Sequence, residues 1–194
     1  MENSFIRILI FCAIFLGCLI LGTLATALAA LAWGLSVNDL LGGMTGSDAG
    51  LLRVMALINH IFLFLLPPIV FALIYRSRGW ADYLGLTKAP VWWQVVLGIA
   101  LLFIAYPIVQ KSYEINNLIP LPDWAGQMEN STEEVLRQIL TMNNPGTFLL
   151  NVVIIGLLPG LAEEMTFRGV LQQESYTWVG RSAGAVWITA ILFS

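Results

Sequence analysis

The chain has 194 residues, of which 58% are hydrophobic and only 11% are charged, whereas charged residues make up about a quarter of an ordinary soluble domain. With a mean hydropathy of +0.82, the composition indicates an integral membrane protein with one membrane domain, residues 1–194. The net charge of −3 is spread along the chain, which argues against the basic surface that nucleic-acid binding needs. We therefore expect the lipid bilayer as a partner and no nucleic acid.

Apolar runs in chain order predict an all-α polytopic transmembrane helical bundle of about five spans. The first two runs, residues 5–34 and 51–75, each exceed the roughly 20 residues that cross a bilayer core. A cleaved signal peptide is the alternative for the first run, but its apolar region would be far longer than the usual length of about 7–15 residues. Pro67-Pro68 in the second run predicts a kink whose freed carbonyls are satisfied by neighbouring helices.

The second half of the chain alternates polar and apolar stretches. A third span is expected over residues 91–113, and the polar stretch that follows contains a predicted short helix over residues 131–142. The apolar residues of that helix recur at helical spacing, so we expect it to lie flat on the membrane interface. A fourth span begins near Thr147, and a fifth begins near Ser182 and is still apolar at Ser194.

The distribution of basic residues predicts the orientation in the membrane. Arg76, Arg78 and Lys88 lie between the second and third spans, whereas the connections on either side are acidic. The positive-inside rule then places this basic connection and the N-terminus in the cytoplasm. Arg53, near the start of its span, is expected to snorkel to the interface without a site role, and Glu174 is expected at the water boundary.

A cluster of charged residues lies inside the fourth apolar run: Glu163, Glu164 and Arg168. An ionisable group at membrane depth costs about 2.5–3.5 kcal/mol on insertion scales, so the cluster is a candidate functional site. At about 100° per residue, Glu164 and Arg168 are about 40° apart on a helix, whereas Glu163 is about 140° from Arg168. Glu163 is therefore the carboxylate without a local cation, available for chemistry.

The same residues also have a structural interpretation. Glu164 and Arg168 can form a buried ion pair that pins two helices, with Glu163 as a protonated hydrogen-bond donor. Gly156 and Gly160 form a Gly-x-x-x-Gly just before the cluster, which predicts the close approach of a partner helix that completes the site.

The stretch Glu163-Glu164-Met165-Thr166-Phe167-Arg168-Gly169 resembles the Glu-Glu-x-x-x-Arg motif of the CAAX prenyl protease and bacteriocin-processing (CPBP, Abi) family of intramembrane endopeptidases. Tyr83-Leu84-Gly85-Leu86 is similar to the start of the family's helical core. The resemblance extends loosely over residues 80–194, and its specific part is residues 163–169. It implies hydrolysis of a peptide bond near the cytoplasmic face, with Glu163 activating water and with Glu164 and Arg168 as further catalytic residues that support the site.

The family also has two histidine motifs on later helices. Phe193 falls where the first of these should begin, so we expect the chain to be C-terminally truncated and inactive in its 194-residue form. The resemblance implies a metallo-endopeptidase with a divalent metal such as zinc, for which Glu163 is the only candidate ligand here. His60, the single histidine, matches neither family histidine and is expected to be a packed or hydrogen-bonded residue.

The family resemblance implies an integral protein of a bacterial inner membrane whose substrate is a hydrophobic or membrane-associated peptide. The alternative is a non-enzymatic membrane protein, such as a bacteriocin self-immunity factor or a scaffold, that uses Glu164 and Arg168 as a structural ion pair. A small transporter is a weaker third hypothesis, because the sequence has no inverted repeat or paired broken helices.

Overall fold

The computed structural model describes residues 4–37, 48–87, 89, 91–118, 122–179 and 183–193. These residues form seven helices and no strand. The helices are α1 (Ser4–Ala32), α2 (Ala49–Arg76), α3 (Trp80–Tyr83), α4 (Trp92–Asn116), α5 (Asp123–Leu140), α6 (Pro145–Val179) and α7 (Ala183–Phe193). The predicted all-α polytopic bundle is confirmed.

Four of the helices, α1, α2, α4 and α6, are long and apolar enough to cross a membrane. They coincide with the first four predicted spans, and α4 buries none of its residues against the rest of the described chain. The fifth predicted span, which begins near Ser182, corresponds to α7, whose described part has 11 residues, fewer than the roughly 20 that cross a bilayer core. The described residues therefore contain four candidate spans where the sequence predicts about five.

The helix between the third and fourth spans begins earlier than predicted. The predicted range is 131–142, whereas α5 starts at Asp123, directly after Pro122. The hydroxyls of Ser131 and Thr132 resemble a helix start in the sequence, but each donates to the carbonyl four residues earlier, at 2.8 Å. Because these hydroxyls bond within the helix, the helix continues through them instead of beginning there.

A π turn over Ile61–Leu65 interrupts α2 just before its two prolines. Pro68 lacks the N–H that would donate to the carbonyl of Phe64 in a regular α-helix. The hydroxyl of Thr166 in α6 donates to that carbonyl instead, at 2.9 Å. The carbonyl freed by proline is thus satisfied by a neighbouring helix, as the sequence predicts.

The apolar core lies where α1, α2 and α6 meet. The rings of Phe11 and Phe71 pack edge to face with their centroids 5.5 Å apart, and Met165 and Val170 of α6 belong to the same buried cluster. Gly22 brings α1 very close to α2, because a Cβ atom at this position would lie 2.8 Å from Cβ of Phe62. The core therefore holds the middle of α6 against the first two spans.

Arg53 is buried, so the prediction that it snorkels to the interface is wrong. It is 8% exposed, and its Nε donates to Oδ1 of Asn151 at 2.9 Å. Its Nη2 donates to the carbonyls of Ile139 and Thr141 at 2.9 and 2.7 Å. These carbonyls belong to the C-terminal end of α5, where the last carbonyls of a helix have no N–H group further along the helix to bind. One guanidinium therefore joins α2, α5 and α6.

Glu174 is also buried, at 4% exposure, and the prediction that it lies at the water boundary is wrong. The hydroxyl of Tyr83 donates to Oε1 of Glu174 at 3.0 Å, and Nη1 of Arg7 lies 3.6 Å from the same oxygen. The carboxylate is buried because α1 and α3 bring a cation and a donor to it. These contacts gather the start of α1, α3 and the last turns of α6 at one end of the bundle.

Candidate functional site

Glu164 and Arg168 form the ion pair that their spacing predicts, with Nη1 of Arg168 3.1 Å from Oε2 of Glu164. Both residues belong to α6, so the pair does not pin two described helices to each other. The side chain of Glu164 is 54% exposed and that of Arg168 is 73% exposed. The guanidinium has five N–H donors, so donors are left for a molecule that approaches α6.

Glu163 is half-buried, and its side chain makes no hydrogen bond or ion pair with another described residue. It lines the same cavity of about 330 Å³ as Glu164 and Arg168. Val186, part of α7, lines the opposite wall. Ligand pockets span about 300–1,000 Å³, so this cavity has room for a small part of a substrate beside the Glu163 carboxylate.

The two adjacent glutamates lie on either side of a change in helix type. The segment Leu158–Glu163 is α-helical, whereas Glu164–Leu171 forms a π turn. Such turns are rare and occur frequently at functional sites. The sequence pattern predicted regular α-helix throughout this stretch and has no local signal for the π turn.

Two further residues of the motif hold α6 against its neighbours. Besides the bond from Thr166 to α2, Gly169 allows the turn after α3 to pack directly on α6. A Cβ at Gly169 would lie 3.1 Å from Cδ2 of Leu84 and 3.6 Å from its Cα. The two segments on which the family resemblance rests are therefore in contact.

The close helix approach predicted at Gly156 and Gly160 is not found among the described residues. A Cβ atom at either glycine would meet no described atom within 4 Å. Instead, α7 packs against the later segments Glu164–Leu171 and Gln172–Val179. Because α7 follows α6 after only three residues, 180–182, it lies beside the last turns of α6 and beyond the glycine pair.

One residue of α2 lies close to the site although the sequence did not associate it with the motif. His60 is half-buried, and the charge of Glu163 acts on it across the interface between α2 and α6. The two residues are separated by 103 positions in the chain (163 − 60). No spacing rule relates residues this far apart, so only the packing of α2 on α6 reveals the proximity.

The described residues do not by themselves make a metal site. They contain no group of three or more His, Cys, Asp or Glu side chains placed to hold a metal ion, whereas a catalytic zinc normally has about three protein ligands. Of the cysteines, Cys12 is exposed and Cys18 is buried within α1. Glu163 supplies one carboxylate, and a metal at this site stays a prediction from the family resemblance.

Residues 145–194 match the family model described as type II CAAX prenyl endopeptidase Rce1-like. The match begins at the first residue of α6 and includes the Glu163–Arg168 cluster and all of α7. It confirms the resemblance over this segment, and the looser resemblance of residues 80–144 stays a prediction. No curated protein and no solved structure gave a match.

Proposed function

Because α6 and α7 lie in the segment that matches the type II CAAX prenyl endopeptidases, we propose that this protein is an intramembrane peptidase whose Glu163 activates water. One observation carries the proposal. Glu163 lines the same cavity between α6 and α7 as the Glu164–Arg168 pair. The Glu163 carboxylate, which forms no ion pair with another described residue, thus lies in the same cavity as a guanidinium whose remaining N–H groups can donate to a substrate.

The chemistry follows from the different surroundings of the two glutamates. The Glu163 carboxylate takes a proton from a water molecule while the water oxygen attacks the carbonyl carbon of the peptide bond. The same carboxyl then returns the proton to the leaving amine, which breaks the C–N bond. Glu164 holds Arg168 in place at 3.1 Å, and the free N–H groups of Arg168 orient the peptide through charge-assisted hydrogen bonds.

The proposed substrate is a hydrophobic or membrane-associated peptide. The site lies on a helix long and apolar enough to span a membrane, and Val186 and Ala190 contribute apolar surface to the α7 wall of the cavity, beside Thr189. A peptide with apolar residues near the cleaved bond fits such a wall.

We also propose a bacterial inner membrane as the location, with the site toward the cytoplasmic half. The start of α1, the connection after α2 and the last turns of α6 share one end of the bundle. Arg76 ends α2, and that connection holds Arg78 and Lys88, so the positive-inside rule favours this end, with the N-terminus, as the cytoplasmic one.

Peptide cleavage by the chain reconstituted in liposomes tests the proposal. The wild type is incubated with a mixture of apolar peptides, and new peptide ends are identified by mass spectrometry. We expect Glu163→Gln to abolish any cleavage and Glu134→Gln, an exposed acid of α5, to leave it unchanged. Cleavage that survives Glu163→Gln contradicts the assigned role of this carboxylate.

The assay also tests whether the 194-residue form is active. We expect no cleavage by this form alone, because its single histidine matches neither family histidine. Peptide binding then becomes the measurement, with a photoreactive amino acid placed at Val186 in the cavity wall. Crosslinking to an apolar peptide supports the proposal. A chain that neither cleaves nor crosslinks favours the non-enzymatic alternative.

A further inference from the structure

We propose that His60 is a positioning residue of this site, which holds the carboxylate of Glu163 toward the cavity through a bridging water molecule. The inference rests on the proposed function, since it assigns a partner to the glutamate that activates water. It adds a residue of α2 to a site that otherwise consists of α6 and α7.

Two hydrogen bonds fix α2 and α6 side by side. Arg53 binds Asn151 near the start of both helices, at 2.9 Å, and the carbonyl of Phe64 accepts from Thr166 further along both, also at 2.9 Å. Since the residue numbers increase together from the first contact to the second, the two helices run parallel. Their relative position along the bundle axis is therefore set at two points.

This alignment places His60 and Glu163 at the same level. His60 lies four residues before Phe64, and Glu163 lies three residues before Thr166. At about 1.5 Å of rise per residue, these separations are about 6 and 4.5 Å in the same direction from one hydrogen bond. The two residues thus differ in level by about 2 Å, much less than one helical turn.

The packing of the two helices brings their side chains to a common interface. The turn Ile61–Leu65, which begins directly after His60, contacts the segment Leu158–Glu163. Both side chains are half-buried, and Glu163 is the charged group that acts on His60. Neither side chain has a hydrogen bond to another described residue. Burying two polar groups in this position costs free energy unless each has a hydrogen-bond partner. One water molecule between them serves as a partner for both.

Each of the two residues also directly precedes a π turn. Ile61–Leu65 follows His60, and Glu164–Leu171 follows Glu163. Because π turns cluster at functional sites, this shared position is an independent indication that the pair belongs to the site. His60 then limits the rotamers of a carboxylate that has no cation of its own on α6.

The single histidine makes the inference directly measurable. Protein labelled with ¹⁵N-histidine in lipid nanodiscs gives the nitrogen resonances of one imidazole. We expect Glu163→Gln to shift these resonances and Glu164→Gln, which alters the neighbouring carboxylate, to leave them where they are in the wild type. Resonances that do not move in Glu163→Gln, or that move equally in both variants, overturn the proposal.

Two further variants cover the case in which Glu163→Gln does not fold. Glu163→Asp keeps the charge but withdraws the carboxylate, so it should also shift the imidazole resonances. In the reverse direction, His60→Leu should speed the modification of Glu163 by a membrane-permeant carbodiimide without changing the rate at Glu164, because the freed carboxylate moves more widely. An unchanged rate at Glu163 overturns the proposal.

Neither measurement requires substrate or turnover, so the outcome is separate from that of the proposed function. A chain that neither cleaves nor crosslinks an apolar peptide, but still shows the shift, contradicts the proposed peptidase function alone. If cleavage depends on Glu163 but the imidazole resonances do not shift in Glu163→Gln, only the role of His60 is disproved.

Discussion

Arg53 and Asn151 connect the starts of two parallel membrane helices, with Nε of Arg53 donating to Oδ1 of Asn151 at 2.9 Å. The amide of Asn151 also donates to the carbonyl of Ile139 at 2.8 Å, the same carbonyl that accepts from Arg53. This network fixes the C-terminal end of α5 at the level where α2 and α6 begin. The amphipathic helix is therefore tied to the helix that carries the motif.

Replacing Arg53 by methionine should lower the free energy of unfolding by about 3 kcal/mol, because buried hydrogen bonds to a charged group are lost and their acceptors stay behind. The measurement is reversible unfolding in mixed micelles. Arg137→Met is the matched control, since Arg137 pairs with Glu133 on the exposed face of α5 and should change stability little. Equal losses in the two variants would contradict a special role for Arg53.

Thr166→Val should lower the free energy of unfolding by about 1–3 kcal/mol, because the variant keeps the shape of the side chain but leaves a buried carbonyl without a donor. The carbonyl is that of Phe64, to which Pro68 cannot donate because it has no N–H. Thr166→Ser keeps the hydroxyl and should retain most of the stability. The hydrogen-bond assignment is wrong if Thr166→Ser loses as much stability as Thr166→Val in the same unfolding assay.

Two glycines of α1 should respond in opposite ways to alanine. A Cβ at Gly22 would lie 2.8 Å from Cβ of Phe62, whereas a Cβ at Gly17 would meet nothing within 4 Å. We expect Gly22→Ala to destabilise the bundle by about 1–3 kcal/mol through overpacking. Gly17→Ala should be neutral or stabilising by up to about 1 kcal/mol. A stable Gly22→Ala variant would show that α1 does not pack this closely on α2.

Tyr83 should make stability depend on alkaline pH. Burial, together with the charge and the hydrogen bond of Glu174, raises the pKa of the Tyr83 hydroxyl above its ordinary value of 10.0. In the unfolded chain the hydroxyl ionises near that value, while the folded protein keeps its proton to higher pH. Unfolding above about pH 10 therefore releases a proton, and the free energy of unfolding falls as the pH rises.

The variant that removes this effect is Tyr83→Phe. It should be less stable than the wild type near neutral pH, because the hydrogen bond to Glu174 is lost. Its stability should then fall less steeply than that of the wild type above about pH 10, where the tyrosine hydroxyl ionises. Parallel pH profiles for the two proteins would contradict the assignment.

The local sequence pattern correctly predicted those features that depend on a single helix. Apolar run length located the four candidate spans, and an i,i+4 spacing predicted the contact between Glu164 and Arg168. The prolines of α2 predicted a carbonyl that a neighbouring helix would satisfy. The span lengths, the ion pair and the freeing of that carbonyl each depend on neighbours within about one turn of the same helix or on its overall length.

The errors at Arg53 and Glu174 concern residues whose partners lie on other helices. Arg53 was assigned to the interface from its place near a helix end, and Glu174 from its distance past the motif. Their partners, Asn151 and Tyr83, lie 98 and 91 residues away in the chain. A single sequence has no signal for such pairings, and the same limitation hid the proximity of His60 to the motif.

The turn Val152–Leu157 has a consequence for changes in the length of α6. This turn is π-helical and holds one residue more than a regular α-helical turn would. Deleting one residue there would restore regular α-helix and leave everything after it in nearly the same orientation, whereas a deletion in a regular α-helical turn would rotate everything after it by about 100°. After a deletion in this π turn, Asn151 would stay on Arg53 and Glu163 would stay at the cavity. The face of α6 that lines the cavity thus tolerates the loss of one residue in this π turn far better than the loss of one residue from a regular α-helical turn.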